Sequence, residues 1–260
     1  MDVNKNSYTF SFAAIMVVLI AALLSISYIF LKPFQTKNVE LEKKQNILKS
    51  VGVNIDRNNS ENEYSKYITQ ELVINQEGDV LEGSAFDIDL SKELKKEVSN
   101  QKLPLYISKV NNETKYIIPL IGKGLWGPIW GFISLNEDLN TVFAAVFDHK
   151  SETPGLGAEI NSYEIFQKNF EGKTIMEGDK FVSIVVQKGG SNGDIHKVDG
   201  ISGGTITSDG VTDMLKERLE KYIKYFNIIS NENKVDKMLK IVQIDEDADT
   251  ISNVSKRLID

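Results

Sequence analysis

From Tyr8 to Leu31 the chain reads YTFSFAAIMVVLIAALLSISYIFL, without one charged residue. At 1.5 Å per helical residue, such a run is long enough to cross a hydrocarbon core of about 30 Å. The spacing therefore predicts an N-terminal tail over 1–7 and a single transmembrane helix over 8–31. A cleaved secretory signal is the competing reading, with Lys5 in its charged region and Ser25-Ile26-Ser27 as a poor cleavage site. The apolar run continues past that site through Tyr28, Ile29, Phe30 and Leu31, beyond the usual length of a signal core, which favours a retained anchor. Lys32, Lys37, Lys43 and Lys44 follow the run and Lys5 precedes it, so positive-inside counting would leave the large domain in the cytoplasm. Glu40 and Glu42 weigh little in that count, and long domains translocate largely regardless of charge.

Beyond the anchor, Lys32-Pro33 predicts a break. VELEKKQNILKSVGV from Val39 then predicts a short stalk helix with Leu41, Leu48 and Val51 near one face and Gly52 as a left-handed stop. The polar stretch from Ile55 to Lys66 reads as a loop, EGDVLEG around Gly78 and Gly83 as turns, and SKELKKEV from Ser91 to Val98 as a surface helix. Strand signals start at Leu103, Thr114, Trp130, Thr141 and Asp179, where β-branched and aromatic residues partly alternate with polar ones. NSYEIFQKNF from Asn161 and the long segment from Asp209 read as helices, the latter with Val211, Leu215, Leu219, Tyr222 and Phe226 as its apolar stripe. Strand runs broken by one or two helices indicate an α+β domain with a mainly antiparallel, twisted sheet and flanking helices. The expected division is a stalk helix and linker over 32–66, a domain over 67–230, and an extension over 231–260 that carries the acidic run from Asp245.

With 260 residues, 41% hydrophobic and 26% charged, the chain can build one sizeable core after the anchor is subtracted. A net charge of −7 argues against a general nucleic-acid binder. The absence of cysteine excludes disulfides, thiolate metal sites, iron–sulfur ligation and cysteine nucleophiles in this chain. The two histidines, His149 and His196, are not at helical metal-ligand spacing, so no metal site is expected and both read as loop or structural residues.

The segment VDGISGGTITSDGV, Val198 to Val211, packs glycines and hydroxyls between a strand and a helix. Gly200, Gly203 and Gly204 let backbone approach a bulky group. Ser202, Thr205, Thr207 and Ser208 can donate to phosphate oxygens, and the amides opening the following helix form an anion site. A glycine-rich turn whose Thr207 or Ser208 caps the helix has the same composition. No Walker lysine follows and the Rossmann spacing is absent, so an ordinary nucleotide loop is disfavoured.

Asp199 to Ser208, DGISGGTITS, resembles the flavinylation motif of the FMN-binding domain family. That family is shared by the C-type subunit of sodium-translocating NADH:quinone reductases and the G-type subunit of the related electron-transport complexes. The sequence departs from the common form at Gly204, where alanine is usual. HKSETPGLGAEI, His149 to Ile160, resembles the family's Glu-Thr-Pro-Gly-Leu-Gly element near the flavin, here Glu152, Thr153, Pro154, Gly155, Leu156 and Gly157. GKGLWGPIWGFISL resembles the quinone-reductase form of a Gly-Leu-Trp segment that supplies Leu125 and Trp126. The single N-terminal span and the stalk are similar to the quinone-reductase members as well.

The resemblance implies FMN esterified through its phosphate to Thr205 by a separate magnesium-dependent flavin transferase that uses FAD. Ser202, Thr207, Ser208 and the backbone at Gly203 and Gly204 would hold the phosphate. Thr153, Gly155, Leu156, Leu125 and Trp126 would line the ring, with Glu152 and Gly157 nearby. It further implies an electron-carrying subunit of a membrane quinone reductase, partnered by the other subunits and by lipid, with a periplasmic domain on the bacterial inner membrane. No catalytic acid or base is implied, and NADH would be oxidised elsewhere in the complex. Two other readings stay open: the G-type subunit of the ferredoxin:NAD complex, and an anchored extracytoplasmic protein binding a phosphorylated ligand without a covalent bond. On residue type alone, Pro154, Gly155 and Gly157 also suit a plain turn, Trp126 and Trp130 a core, and Glu152 a solvated charge.

Overall fold

The structure, a computed structural model, describes residues 6–231. The acidic run from Asp245 lies outside them. Helix α1 (Asn6–Lys49) contains the whole apolar run and continues through Pro33, so the expected break at Lys32-Pro33 does not occur. Proline removes the amide that would bond the Ile29 carbonyl, at a cost of about 3 kcal/mol in a helix interior. The helix is held on both sides of that gap, by the uncharged run before it and by a buried face after it. Leu41, Ile47 and Leu48 bury in the domain, as does Val51 just beyond the helix, and Gly52 ends the turn at φ +78°. At the end of the uncharged run, Lys32 Nζ donates to the Tyr28 hydroxyl at 2.6 Å. Such a pair suits a position where an apolar stem meets water.

The stretch expected as a loop over 55–66 instead forms a 3₁₀ turn (Arg57–Asn59) and helix α2 (Ser60–Tyr67). Its inward face holds only Ser60 and the Tyr64 ring, too few apolar residues to show a periodicity. Ser60 Oγ donates to the Leu41 carbonyl at 3.0 Å, and the Tyr64 hydroxyl donates to Glu71 at 2.8 Å. Strand β1 (Ile68–Ile74), not foreseen, follows directly, then β2 (Val80–Leu81) between the turns at Gly78 and Gly83. The surface helix expected over 91–98 shrinks to one turn, α3 (Leu90–Glu93), capped by Asp89. Glu93 turns inward, accepting from Lys96 Nζ at 2.7 Å and from the Lys102 amide at 3.1 Å, and pulls the chain out of helical register.

Strands β3 (Leu103–Val110), β4 (Glu113–Lys123), β5 (Pro128–Leu135) and β6 (Val142–His149) complete an antiparallel six-stranded sheet of order β2-β1-β3-β4-β5-β6. Alternation sorts β4 between two cores: Tyr116, Ile118 and Leu120 face one, and Ile117 the other. The second core receives Leu48 and Val51, so the stalk packs on that face. Two 3₁₀ turns, Gly157–Asn161 and Gln167–Phe170, stand where a helix was expected from Asn161. Gln167 Nε2 donates to the carbonyls of Phe147 and Ile160, while Phe166 and Phe170 pack on Phe147, which fixes an irregular path.

Strand β7 (Met176–Glu177) pairs with β8 (Lys180–Phe181). Ser183 at φ +64° ends that run and separates it from β9 (Val185–Gln187), so the strand expected from Asp179 is split in two. Strand β10 (Lys197–Asp199) lies parallel to β9, with Val198 opposite Val186. Helix α4 (Thr205–Leu219) starts four residues before the expected Asp209, passes through a 3₁₀ turn at Glu220–Tyr222, and is helical again over 223–231. Its stripe of Val211, Leu215, Leu219, Tyr222 and Phe226 is buried on the first core, each side chain contributing roughly 2 kcal/mol. Gly210 crosses the end of β4 so closely that a Cβ there would lie 2.3 Å from the Lys123 carbonyl oxygen.

Candidate functional site

Three segments meet at one end of the sheet: the β4–β5 turn with Leu125 and Trp126, the loop after β6 from Glu152 to Gly157, and the loop that opens α4. A single carboxylate joins them. Glu152 is 4% exposed; its Oε1 accepts from the Trp126 amide at 2.8 Å and its Oε2 from the Thr207 hydroxyl at 2.6 Å. It is therefore not a solvated charge. Burial alone would raise its carboxyl; the Thr207 hydroxyl, the amides of Trp126 and Leu125, and His149 outweigh that effect and hold it below its ordinary value of 4.5. The Glu152 amide donates to His149 Nδ1 at 3.1 Å, which gives that histidine a structural role. His196 likewise donates from Nδ1 to the Thr174 carbonyl at 2.8 Å.

The glycines of the site are spacing elements. A Cβ on Gly157 would lie 2.3 Å from Thr207 Oγ1, so only glycine lets this loop reach the helix. Gly203 takes φ +74°, and a Cβ there would meet Leu156 Cδ2 at 2.6 Å. Leu156 thus lies on the Gly203 backbone, and the two loops touch. At Gly204, a Cβ would stand 3.0 Å from Ile201 Cγ2 and 3.2 Å from the Gly157 nitrogen, clearance that an alanine would remove.

The four hydroxyls of the motif are not equivalent. Gly204 is the residue before the first helical turn and supplies no side-chain cap. Thr207 and Ser208 lie inside that turn, so neither is the cap that the composition allowed. The Thr207 hydroxyl is spent on Glu152, and Ser208 Oγ accepts from the Ile201 amide at 3.2 Å. Both are buried. Ser202 is exposed and Thr205 half-buried, and among the described residues neither hydroxyl has a hydrogen-bond partner. A cleft of about 500 Å³ beside them is lined by Ser202, Gly203, Thr205 and Ser208.

Around the loop, Leu125 (46%), Trp126 (65%) and Leu156 (41%) expose apolar surface, as does Ile206 (56%), a residue that no sequence pattern singled out. Trp126 is thus not a core residue. Thr153 and Gly155 are exposed in the same loop; the Thr153 carbonyl accepts from the amides of Leu156 and Ala158, and the Gly155 amide donates to Glu159. Sequence patterns also missed the far wall of the cleft, Val186 and Lys188 to Gly190, because the β9–β10 pairing brings it in from a distant stretch. Among the described residues no group of histidines and acids is arranged to hold a metal ion.

Residues 124–220 match the FMN-binding domain family. The C-type subunit of the Na(+)-translocating NADH-quinone reductase of Pasteurella multocida is 32% identical to this chain over 236 residues, which is 82% of this chain and 90% of that protein. Its counterpart in Haemophilus ducreyi is 29% identical over 232 residues, again 82% and 90% of the two chains. The crystal structure of the same reductase component from Parabacteroides distasonis has a TM-score of 0.71 to this fold at 42% identity, covering 75% of this chain and 96% of that one.

Proposed function

This chain belongs to the family of C-type subunits of the Na(+)-translocating NADH-quinone reductase, and on that basis we propose that it carries electrons within that complex on FMN bound covalently to Thr205. One observation carries the choice of acceptor. Of the motif's hydroxyls, those of Thr207 and Ser208 are buried and engaged, which leaves Ser202 and Thr205 on the cleft without a partner among the described residues, and Thr205 is the one at the position the family motif esterifies. Attachment exchanges one phosphorus–oxygen bond for another. Thr205 Oγ loses its proton and bonds the phosphorus of the flavin half of FAD, the anhydride bond breaks, and AMP leaves.

FMN, when bound, supplies one- and two-electron transfer; this chain positions it and sets its surroundings. The donors present suit the cofactor. Ser202, the backbone at Gly203 and the first amides of α4 would hold phosphate oxygens, and the positive end of the helix favours the charge. Leu125, Trp126, Leu156 and Ile206 offer apolar surface for a ring, while Thr153 and Gly155 present polar groups at its edge. Glu152 and Thr207 act indirectly, by locking the loops that carry those residues. Electron carriage on FMN needs no general acid or base from this chain, and NADH would be oxidised on another subunit.

We further infer that the apolar run over 8–31 spans the bacterial inner membrane, with the domain in the periplasm and the other subunits as redox partners. The test of attachment is peptide mass spectrometry after co-expression with a flavin transferase. The flavin mass should map to Thr205. Thr205→Ala and Thr205→Val should both lose it while unfolding at the wild-type temperature, because neither change opens a core cavity. A modified peptide mapping to Ser202, or Thr205 variants that still carry FMN, would refute the assignment.

A further inference from the structure

Parallel pairing of β9 with β10 sets Gln187 opposite Asp199, so the residues that follow each strand leave the ladder side by side. One exit is the turn over 188–190, with Gly189 at φ +86° and Gly190 at φ +104°; the other is the loop that leads to Thr205. The cleft beside Thr205 lies between them. We propose that this cleft is the phosphate half of the flavin site and that Lys188 is the cation that positions the phosphate. The proposal rests on attachment at Thr205 as argued above.

The charges around the cleft favour a cation beside the phosphate. A phosphodiester on Thr205 keeps one negative charge at any physiological pH, on a chain whose net charge is already −7. Lys188, Asp199 and Asp209 are the charged residues of the cleft wall. Asp199 is committed to the neighbouring turn, where its Oδ1 accepts from the Ser191 amide at 2.5 Å. Asp209 is exposed and opposes an anion. Lys188 is exposed on the cleft, and among the described residues its ammonium is paired with no carboxylate. A lysine that lines the same cleft as Thr205 and, among the described residues, has no carboxylate partner suits a phosphate tethered beside a helix N-terminus. The apolar surface of Leu125, Trp126, Leu156 and Ile206 is not part of this cleft, so the phosphate and ring of one cofactor would be served by separate surfaces meeting at Thr205.

The test uses the full chain in a phosphorus-free detergent, loaded from FAD by a flavin transferase. Loading is followed by intact mass, and the attached phosphate by its ³¹P resonance. Lys188→Ala should slow loading roughly five-fold, the size of an exposed ion pair, and move the ³¹P resonance. Lys188→Arg should restore both. Asp209→Asn should act in the opposite direction and speed loading. Both effects should fade in salt of about 1 M, where the screening length falls to about 3 Å. A ³¹P resonance unmoved by Lys188→Ala overturns the proposal even if loading slows, because the lysine then serves the transferase alone. Slower loading in both Lys188→Ala and Asp209→Asn also overturns it, since fold rather than charge would be responsible. Wild-type protein that gains no flavin mass defeats the attachment itself; loaded wild type with an indifferent Lys188 leaves attachment standing and removes only this inference.

Discussion

Thr207 and Glu152, 55 residues apart in sequence, share a buried hydrogen bond of 2.6 Å that clamps the first turn of α4 to the loop after β6. The other carboxylate oxygen holds the Trp126 amide, so one side chain sets the relative positions of all three segments of the site. Thr207→Val and Glu152→Ala should each destabilise the domain by about 1–3 kcal/mol, the cost of leaving a buried partner unsatisfied. Their double mutant should lose less than the sum, by about 1 kcal/mol or more. Denaturant unfolding of the four proteins measures the coupling, and strict additivity would show that the clamp carries no energy.

The same carboxylate predicts a pH dependence. Its folded value is held below the ordinary 4.5, so its stabilising contribution is complete above pH 4.5 and is lost as pH falls through the lower, folded value. Glu152→Gln can still accept from the Trp126 amide and donate to Thr207 Oγ1, so it should fold, but its stability should lack this acid-side decline. Melting temperatures of both proteins from neutral pH down into the acid range should converge. Parallel curves would mean that Glu152 does not titrate differently on folding.

Leu156→Ala and Trp126→Ala remove exposed apolar surface, so each should change stability by no more than about 0.5 kcal/mol. Both should leave the covalent flavin mass intact while shifting the flavin absorption or its reduction potential. Unchanged spectra and potentials in both variants would take these side chains out of the ring's surroundings.

Gly210→Ala sets two effects against each other. Alanine gains about 1 kcal/mol in helix propensity over glycine. Its Cβ, however, would lie 2.3 Å from the Lys123 carbonyl oxygen, and relieving that contact means moving α4 off the end of β4. Overpacking of this kind costs about 1–3 kcal/mol, so the variant should melt lower than wild type. A higher melting temperature would show that the helix crosses the sheet less tightly.

With the domain in the periplasm, protease added to spheroplasts should digest residues beyond the span, and protease added to inverted vesicles should not. Digestion confined to inverted vesicles would place the domain in the cytoplasm, as the lysines after Leu31 suggest by simple counting.

Strands β3 to β6 were legible because a sheet covered on both faces needs apolar residues on both, and runs such as LPLYISKV display them. Helix α2 was not, because it buries only Ser60 and Tyr64 among charged and amide residues, and strand β1 was not, because Thr69, Gln70 and Glu71 interrupt its buried Ile68, Val73 and Ile74. The motif around Thr205 stood out by its glycines and hydroxyls, yet which hydroxyls are free depends on Glu152 and Ile201, contacts no local pattern encodes. Glu152 itself reads as a surface charge until the fold buries it. Lys188 is ordinary in sequence and gains its place only from a parallel pairing between two three-residue strands.

Because α1 continues without interruption from Asn6 to Lys49 and buries Leu41, Ile47 and Leu48 in the domain, the anchor and the domain are mechanically one piece. From Leu31 to Leu41 the helix rises only about 15 Å, so the domain is kept at a short, nearly constant height above the apolar segment. A swivel of the span is delivered to the sheet as torque rather than absorbed in slack chain. The compliance that remains is local to Pro33, where the ladder lacks one bond. A carrier mounted this way has no slack chain between residues 31 and 41 with which to extend its reach.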